Sequence, residues 1–156
     1  MEALIRKLLP LTERGLLLRV EGGTVYAFGF RPEVDLNALA QEIRDGWLEL
    51  VREEALLRVR TGAEAKAQAL RPHDFSDLMT KLQLGRIRPE EHARLNAYYD
   101  AVDALEAERA ALEAAIAKAT SVAELNAIAW PEWVAWKPIP ENPEFVLEAE
   151  LRPEAP

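Results

Sequence analysis

The sequence contains no cysteine, which excludes disulfides, thiolate metal sites and cysteine nucleophiles. Histidine is almost as scarce: His73 and His92 stand 19 positions apart, a separation that matches no two-histidine metal spacing. Both are read as surface or helix-end residues. Apolar runs extend only a few residues, against the roughly 20 needed to span a bilayer. The opening "MEALIRKLLPLTERG" has neither the apolar core nor the small-residue cleavage site of a secretory signal. Nothing in the chain is therefore expected to direct it into a membrane or out of the cytoplasm.

Positive charge is scarce in the second part of the chain. Residues 1–88 carry 14 Lys+Arg against 13 Asp+Glu, whereas residues 89–156 carry 5 against 14. A segment with a net charge of −9 is repelled by nucleic acid and by anionic lipid, so neither is an expected partner. The arginines between residues 44 and 88 are interleaved with acids and form no basic stripe. Chemistry-bearing motifs are missing too. "EGG" and "FGF" lack the rest of a phosphate-cradling loop, and Ser76 and Ser121 have no base nearby in sequence. The acids Asp100, Asp103, Glu106 and Glu108 alternate with alanine, the pattern of a solvated helix face. No catalytic, cofactor-binding or metal-binding residue is assigned, and the chain is expected not to be an enzyme.

What is present describes a folded, mostly helical protein. With 156 residues, 49% hydrophobic and 29% charged, the chain is long enough for one domain with a core. Two β-rich runs, Leu16–Val20 and Thr24–Phe30, flank Gly22-Gly23, whose tolerance of positive φ suits a tight hairpin. A two-stranded ribbon needs further cover, and "EFVLEAEL" offers a third strand, with Phe145, Leu147, Ala149 and Leu151 on one face. From Asp35, a suitable N-cap, Leu36, Leu39, Ala40, Ile43, Trp47, Leu50 and Val51 form one apolar stripe. This predicts a helix running to about Val59 or beyond, with Thr61-Gly62 as an uncertain interruption. A break falls before Pro72, followed by a short helix from about Asp74 to Leu84 that Gly85 ends.

Residues 89–119 give the clearest element. Pro89, Glu90 and Glu91 suit a helix start, and Leu95, Tyr98, Val102, Leu105, Arg109, Leu112, Ile116 and Ala119 recur at alternating steps of three and four. This heptad seam serves either an intramolecular antiparallel hairpin with residues 36–60 or a coiled coil between chains, dimer or trimer. Arg109 is its one charged member, which requires a carboxylate or an exit to solvent. "SVAE" is a capping box that starts a short helix at Ser121 and carries Leu125 and Ile128 inward until Pro131. In "AWPEWVAWKPIPENP", Trp130, Trp133 and Trp136 recur every third residue, so all three indoles can share one side of an extended or 3₁₀ segment. Such a side is either a partner surface or an internal anchor. Trp130 and at least one other are expected to be internal anchors, Trp130 being the buried end, and an exposed indole at Trp133 or Trp136 would mark the partner surface.

The fold expected is α+β, mostly α: a long antiparallel helical hairpin, or a coiled coil, with a small antiparallel β-ribbon formed by the N-terminal hairpin and a C-terminal strand. Its parts are a β-hairpin region (1–35), a helical body (36–129) and a Pro/Trp-rich extended segment with the last strand (130–156), together one folding unit.

The stretch from residue 74 to 131, "DFSDLMTKLQLGRIRPEEHARLNAYYDAVDALEAERAALEAAIAKATSVAELNAIAWP", resembles the C-terminal helical segment of small tailed-phage tail proteins, the tail-fibre and tail-fibre-assembly group. The resemblance rests on Leu78, Leu82, Pro89, Glu90, Leu95, Val102, Ile116, Ala119, Thr120, Val122, Glu124, Leu125, Trp130 and Pro131, in about a third of the chain. It implies a non-enzymatic tail-tip or fibre component, or an assembly chaperone, in the virion or in the host cytoplasm during assembly. The implied partners are other tail proteins or further copies of the chain, met through Leu95, Tyr98, Val102, Leu105, Arg109, Leu112, Ile116, Trp133 and Trp136. The alternative is a small acidic phage-encoded protein that binds and regulates a host enzyme such as RNA polymerase through its negative face.

Overall fold

A computed structural model describes residues 1–150. It is α+β: six helices and one three-stranded sheet among the described residues. The helices are α1 (Glu2–Leu8), α2 (Leu36–Asp45), α3 (Trp47–Leu70), α4 (Phe75–Gln83), α5 (Pro89–Lys118) and α6 (Val122–Asn126). The strands are β1 (Thr12–Glu21), β2 (Thr24–Phe30) and β3 (Glu144–Glu148). Leu151, the last residue of the expected strand face, lies outside the described residues. No helix among the described residues is long and apolar enough to cross a membrane.

The chain divides into two compact units. The first comprises Met1–Leu57, Lys118–Ile128 and the segment from Lys137 onward. Its sheet has the order β1-β2-β3. β1 and β2 form the expected hairpin, with Gly22 and Gly23 at φ 57° and 81°, both in the left-handed region that a two-residue turn requires.

β3 pairs with β2 in parallel, from Thr24↔Glu144 to Phe28↔Glu148, which corrects the all-antiparallel ribbon. A tight turn forces antiparallel pairing only on its own two strands. β3 arrives after the whole helical body and joins β2 at its beginning, so its direction is set by the path of residues 31–143.

One helix boundary differs from expectation, and one boundary that was open is decided. The apolar stripe from Leu36 is split at Gly46 (φ −100°, ψ 14°), since glycine is a poor helix former and its freedom lets the chain restart at Trp47. α3 then runs through Thr61-Gly62 without interruption. α1 was not anticipated, although Leu4 and Leu8, one turn apart, are both fully buried. Asp35 does cap α2, its Oδ1 accepting from the Ala38 N–H at 3.1 Å.

Trp47 organises this unit. Its ring is buried, its indole N–H donates to the Pro140 carbonyl at 2.8 Å, and it makes a T-shaped contact with Phe145, ring centroids 5.8 Å apart. The capping box at α6 forms with an adjustment. Ser121 Oγ accepts from the Glu124 N–H at 3.1 Å, while the Glu124 carboxylate reaches one residue further back, to the Thr120 N–H at 2.6 Å. That contact holds the Glu124 carboxyl below its ordinary range. α6 stops at Asn126, short of Pro131. The Asn126 amide faces Ile139 like a strand, donating to its carbonyl at 2.8 Å and accepting from its N–H at 3.0 Å.

The second unit comprises Arg58–Ala117 and Ala129–Trp136. It holds the rest of α3, all of α4, nearly all of α5 and the tryptophan segment. Pro72 enforces the break after α3, and Gly85 (φ 68°) ends α4 with Arg86 N–H donating back to Lys81 O at 2.8 Å, a Schellman-type closure.

Candidate protein interface

The seam of α5 faces the interior of the isolated chain. Leu95, Leu105, Leu112 and Ile116 are buried, and Tyr98, Val102 and Arg109 are half-buried. Arg109 solves its charge problem locally. Its Nε donates to Glu113 Oε1 at 3.1 Å, Glu106 lies at 4.0 Å, and 28% of the side chain stays in water. The four buried members have no free surface to offer a partner while the chain keeps this conformation.

The tryptophan segment folds back on itself. Pro131 starts a 3₁₀ turn over Glu132–Val134, and Ala135 follows in the left-handed conformation, φ 54° and ψ 44°. Because of that reversal, Trp130 and Trp136 stack at 4.6 Å with their planes 20° apart. Arg58 lies over Trp136 at 5.9 Å and donates from Nη1 to the Ala135 carbonyl at 3.0 Å. Trp133 sits on α3. A Cβ on Gly62 would fall 2.3 Å from the Trp133 carbonyl oxygen and 3.0 Å from its ring. The Trp133 indole N–H donates to Glu108 Oε1 on α5 at 3.3 Å.

The expectation that Trp130 is the buried end is corrected. All three tryptophans of the run are half-buried and the buried residue is Val134, because the left-handed Ala135 turns Trp136 back onto Trp130 and lets the smaller side chain point inward. Gly62, Arg58, Val134 and Ala135 were not recognised as parts of this assembly. The available signal was Gly62 itself, a glycine inside an otherwise strong helix pattern, which asks what approaches it.

α4 is held to α5 by ion pairs. Glu91 is only 7% exposed, and it accepts from Lys81 Nζ at 2.7 Å, the Arg88 N–H at 3.1 Å and Arg88 Nε at 3.2 Å. The Lys81 bond, then the Arg88 N–H, hold the Glu91 carboxyl below its ordinary range, and the same bond pushes the Lys81 ammonium up. Arg94 grips Asp74 at 2.7 and 3.3 Å, which lowers the Asp74 carboxyl. Asp74, at the N-cap of α4, makes no side-chain cap bond.

Apolar side chains do reach solvent at the end of α4. Leu82 is 39% exposed and Leu84 62%. Tyr99, 43% exposed, lies beside Met79, with its hydroxyl 3.7 Å from the thioether sulfur. Arg86, next to Leu84 across Gly85, makes no ion pair among the described residues. Asp100, Asp103, Glu106 and Glu108 are exposed, and no group of three or more His, Cys, Asp or Glu among the described residues could hold a metal ion.

No protein-family model, no curated protein and no solved structure matches this chain.

Proposed function

We propose that this chain is a non-enzymatic tailed-phage tail-associated protein, a tail-tip or fibre component or an assembly chaperone, working through protein–protein contacts. The sequence resemblance over residues 74–131 carries the proposal. Supporting it are the exposed apolar side chains Leu82, Leu84 and Tyr99 and a tryptophan assembly that Gly62 and Glu108 hold in place. Tryptophan and tyrosine are among the residues most often found to anchor protein interfaces.

On this reading α3 and α5 act as an antiparallel hairpin, with Trp133 as a wedge touching both. The α5 seam is then spent inside the chain. Partners, tail proteins or further copies, meet Leu82, Leu84, Tyr99 and the outward parts of Trp133 and Trp136. Neither nucleic acid nor a membrane is a partner, given the acidic second half of the chain.

Capture of the tagged chain from cells producing the phage tests this. Recovery of tail proteins, lost when Leu84 is changed to Glu, is the expected result. Recovery of host RNA polymerase instead, unaffected by Leu84→Glu, favours the acidic-regulator alternative.

A further inference from the structure

α4 is fastened to α5 largely by charge. The helix has nine residues, fewer than the roughly 12–15 that an isolated helix needs in water, and Leu78 is its one buried side chain. α5, by contrast, buries Leu95, Leu105, Leu112 and Ile116. At the start of α4, Asp74 pairs with Arg94 at 2.7 Å and Phe75 makes a T-shaped contact with Tyr98, ring centroids 5.5 Å apart. At its end, Lys81 pairs with Glu91 at 2.7 Å. α4 therefore lies antiparallel to the first turns of α5, over the face that carries Glu91, Leu95 and Tyr98 at helical spacing. Leu95, in the middle of that face, is only 2% exposed.

The links at either end leave α4 free to move as one body. Their backbone bonds are local: Phe75 N–H donates to Pro72 O at 3.1 Å, Leu84 N–H to Thr80 O at 3.0 Å and Arg86 N–H to Lys81 O at 2.8 Å. Lifting the helix breaks the two ion pairs, the contacts of Phe75 with Tyr98 and Arg71, the Tyr99–Met79 contact and the burial of Leu78. It does not strand Glu91, because the Arg88 N–H and Nε stay on that carboxylate at 3.1 and 3.2 Å, both within the start of α5. Local opening is expected where buried apolar contacts are few and the fastening is polar.

We propose that α4 is a hinged lid on α5, which lifts about residues 71–74 and 84–88 while the rest of the second unit stays folded, with Asp74–Arg94 and Lys81–Glu91 as its latch. Lifting uncovers Leu95 and Tyr98 on α5 and Leu78 on the lid, an apolar surface that the closed protein conceals. The device is independent of the proposed tail role.

Native-state hydrogen exchange on the full chain at neutral pH, in a series of urea concentrations below the unfolding transition, tests this. Amides of residues 78–84 should exchange through one shared opening, ahead of those of residues 105–116 and with a smaller urea dependence, since only one helix is exposed. Glu91→Gln removes one half of the latch and should speed exchange of residues 78–84 about tenfold, the weight of one charge-assisted hydrogen bond, with residues 105–116 unchanged. The chain has no cysteine of its own, so single variants give a second readout: Leu95→Cys should react with a thiol reagent faster than Leu112→Cys, and faster again when combined with Glu91→Gln.

The lid is overturned if residues 78–84 exchange with the same free energy and urea dependence as residues 105–116, or if Glu91→Gln speeds both segments alike, because α4 then unfolds only with the whole unit. Fast exchange in α4 with Leu95→Cys no more reactive than Leu112→Cys also overturns it, since the helix would then fray in place and uncover nothing.

Discussion

Gly62 of α3 lies beneath Trp133, so closely that a Cβ at position 62 would stand 2.3 Å from the Trp133 carbonyl oxygen. Two effects then compete in Gly62→Ala. Alanine in a helix interior is favoured over glycine by about 1 kcal/mol, but the neighbour here is backbone and cannot rotate away. The clash wins, and overpacking of this kind costs about 1–3 kcal/mol. Gly62→Ala should lower the urea midpoint, whereas alanine at a solvent-facing helix position should not. A stabilised Gly62→Ala protein would mean that Trp133 does not rest there.

Asn126 should resist even its closest replacement. Its amide both donates to and accepts from Ile139, and a carboxylate cannot donate. Asn126→Asp sets an acceptor against the Ile139 carbonyl and should cost about 1–3 kcal/mol, the penalty for an unsatisfied polar contact. Thermal unfolding at neutral pH measures it.

The acid limb of stability should run through Glu91, Glu124 and Asp74. Each carboxyl is held below its ordinary value, 4.5 for the glutamates and 3.8 for the aspartate. Their contribution is therefore present above those values in the folded protein and lost as pH falls through the lowered ones. Lys81 has the opposite sign: its stabilisation is complete below 10.5 and lost as pH rises past its raised value. Glu91→Gln should flatten the acid limb of a melting-temperature profile below pH 4.5 and shrink the alkaline one. An unchanged profile would show that the α4–α5 pairs do not contribute.

Arg109 separates the two uses of the seam. Its guanidinium is partly in water beside Glu113 and Glu106, so Arg109→Leu should leave the mass seen by light scattering unchanged and alter stability by about 1 kcal/mol or less, as for exposed ion pairs. A change of mass would place the seam between chains.

Local patterns were legible in the sequence. The Gly22-Gly23 hairpin, the Asp35 cap, Gly85 and the full length of α5 depend on residues within a turn or two of one another, where spacing and φ preference decide. The features missed depend on distant neighbours. The direction of β3 follows the route of more than a hundred intervening residues. The split at Gly46 precedes a tryptophan whose indole N–H is met by Pro140. Ala135 is left-handed although alanine has no preference for that region, so the stacking of Trp130 on Trp136 could not be read from a three-residue period. For the candidate interface, Leu95, Leu105, Leu112 and Ile116 of the seam are buried within the chain, and the exposed apolar side chains are others, Leu82, Leu84 and Tyr99 among them.

The proposed tail role is tested most directly by deleting the coding sequence from the genome that carries it and imaging the particles produced by electron microscopy. The account predicts filled heads with absent, shortened or fibreless tails, restored by the intact chain supplied in trans and not by the Leu84→Glu variant. Particles with complete tails at normal yield would contradict it.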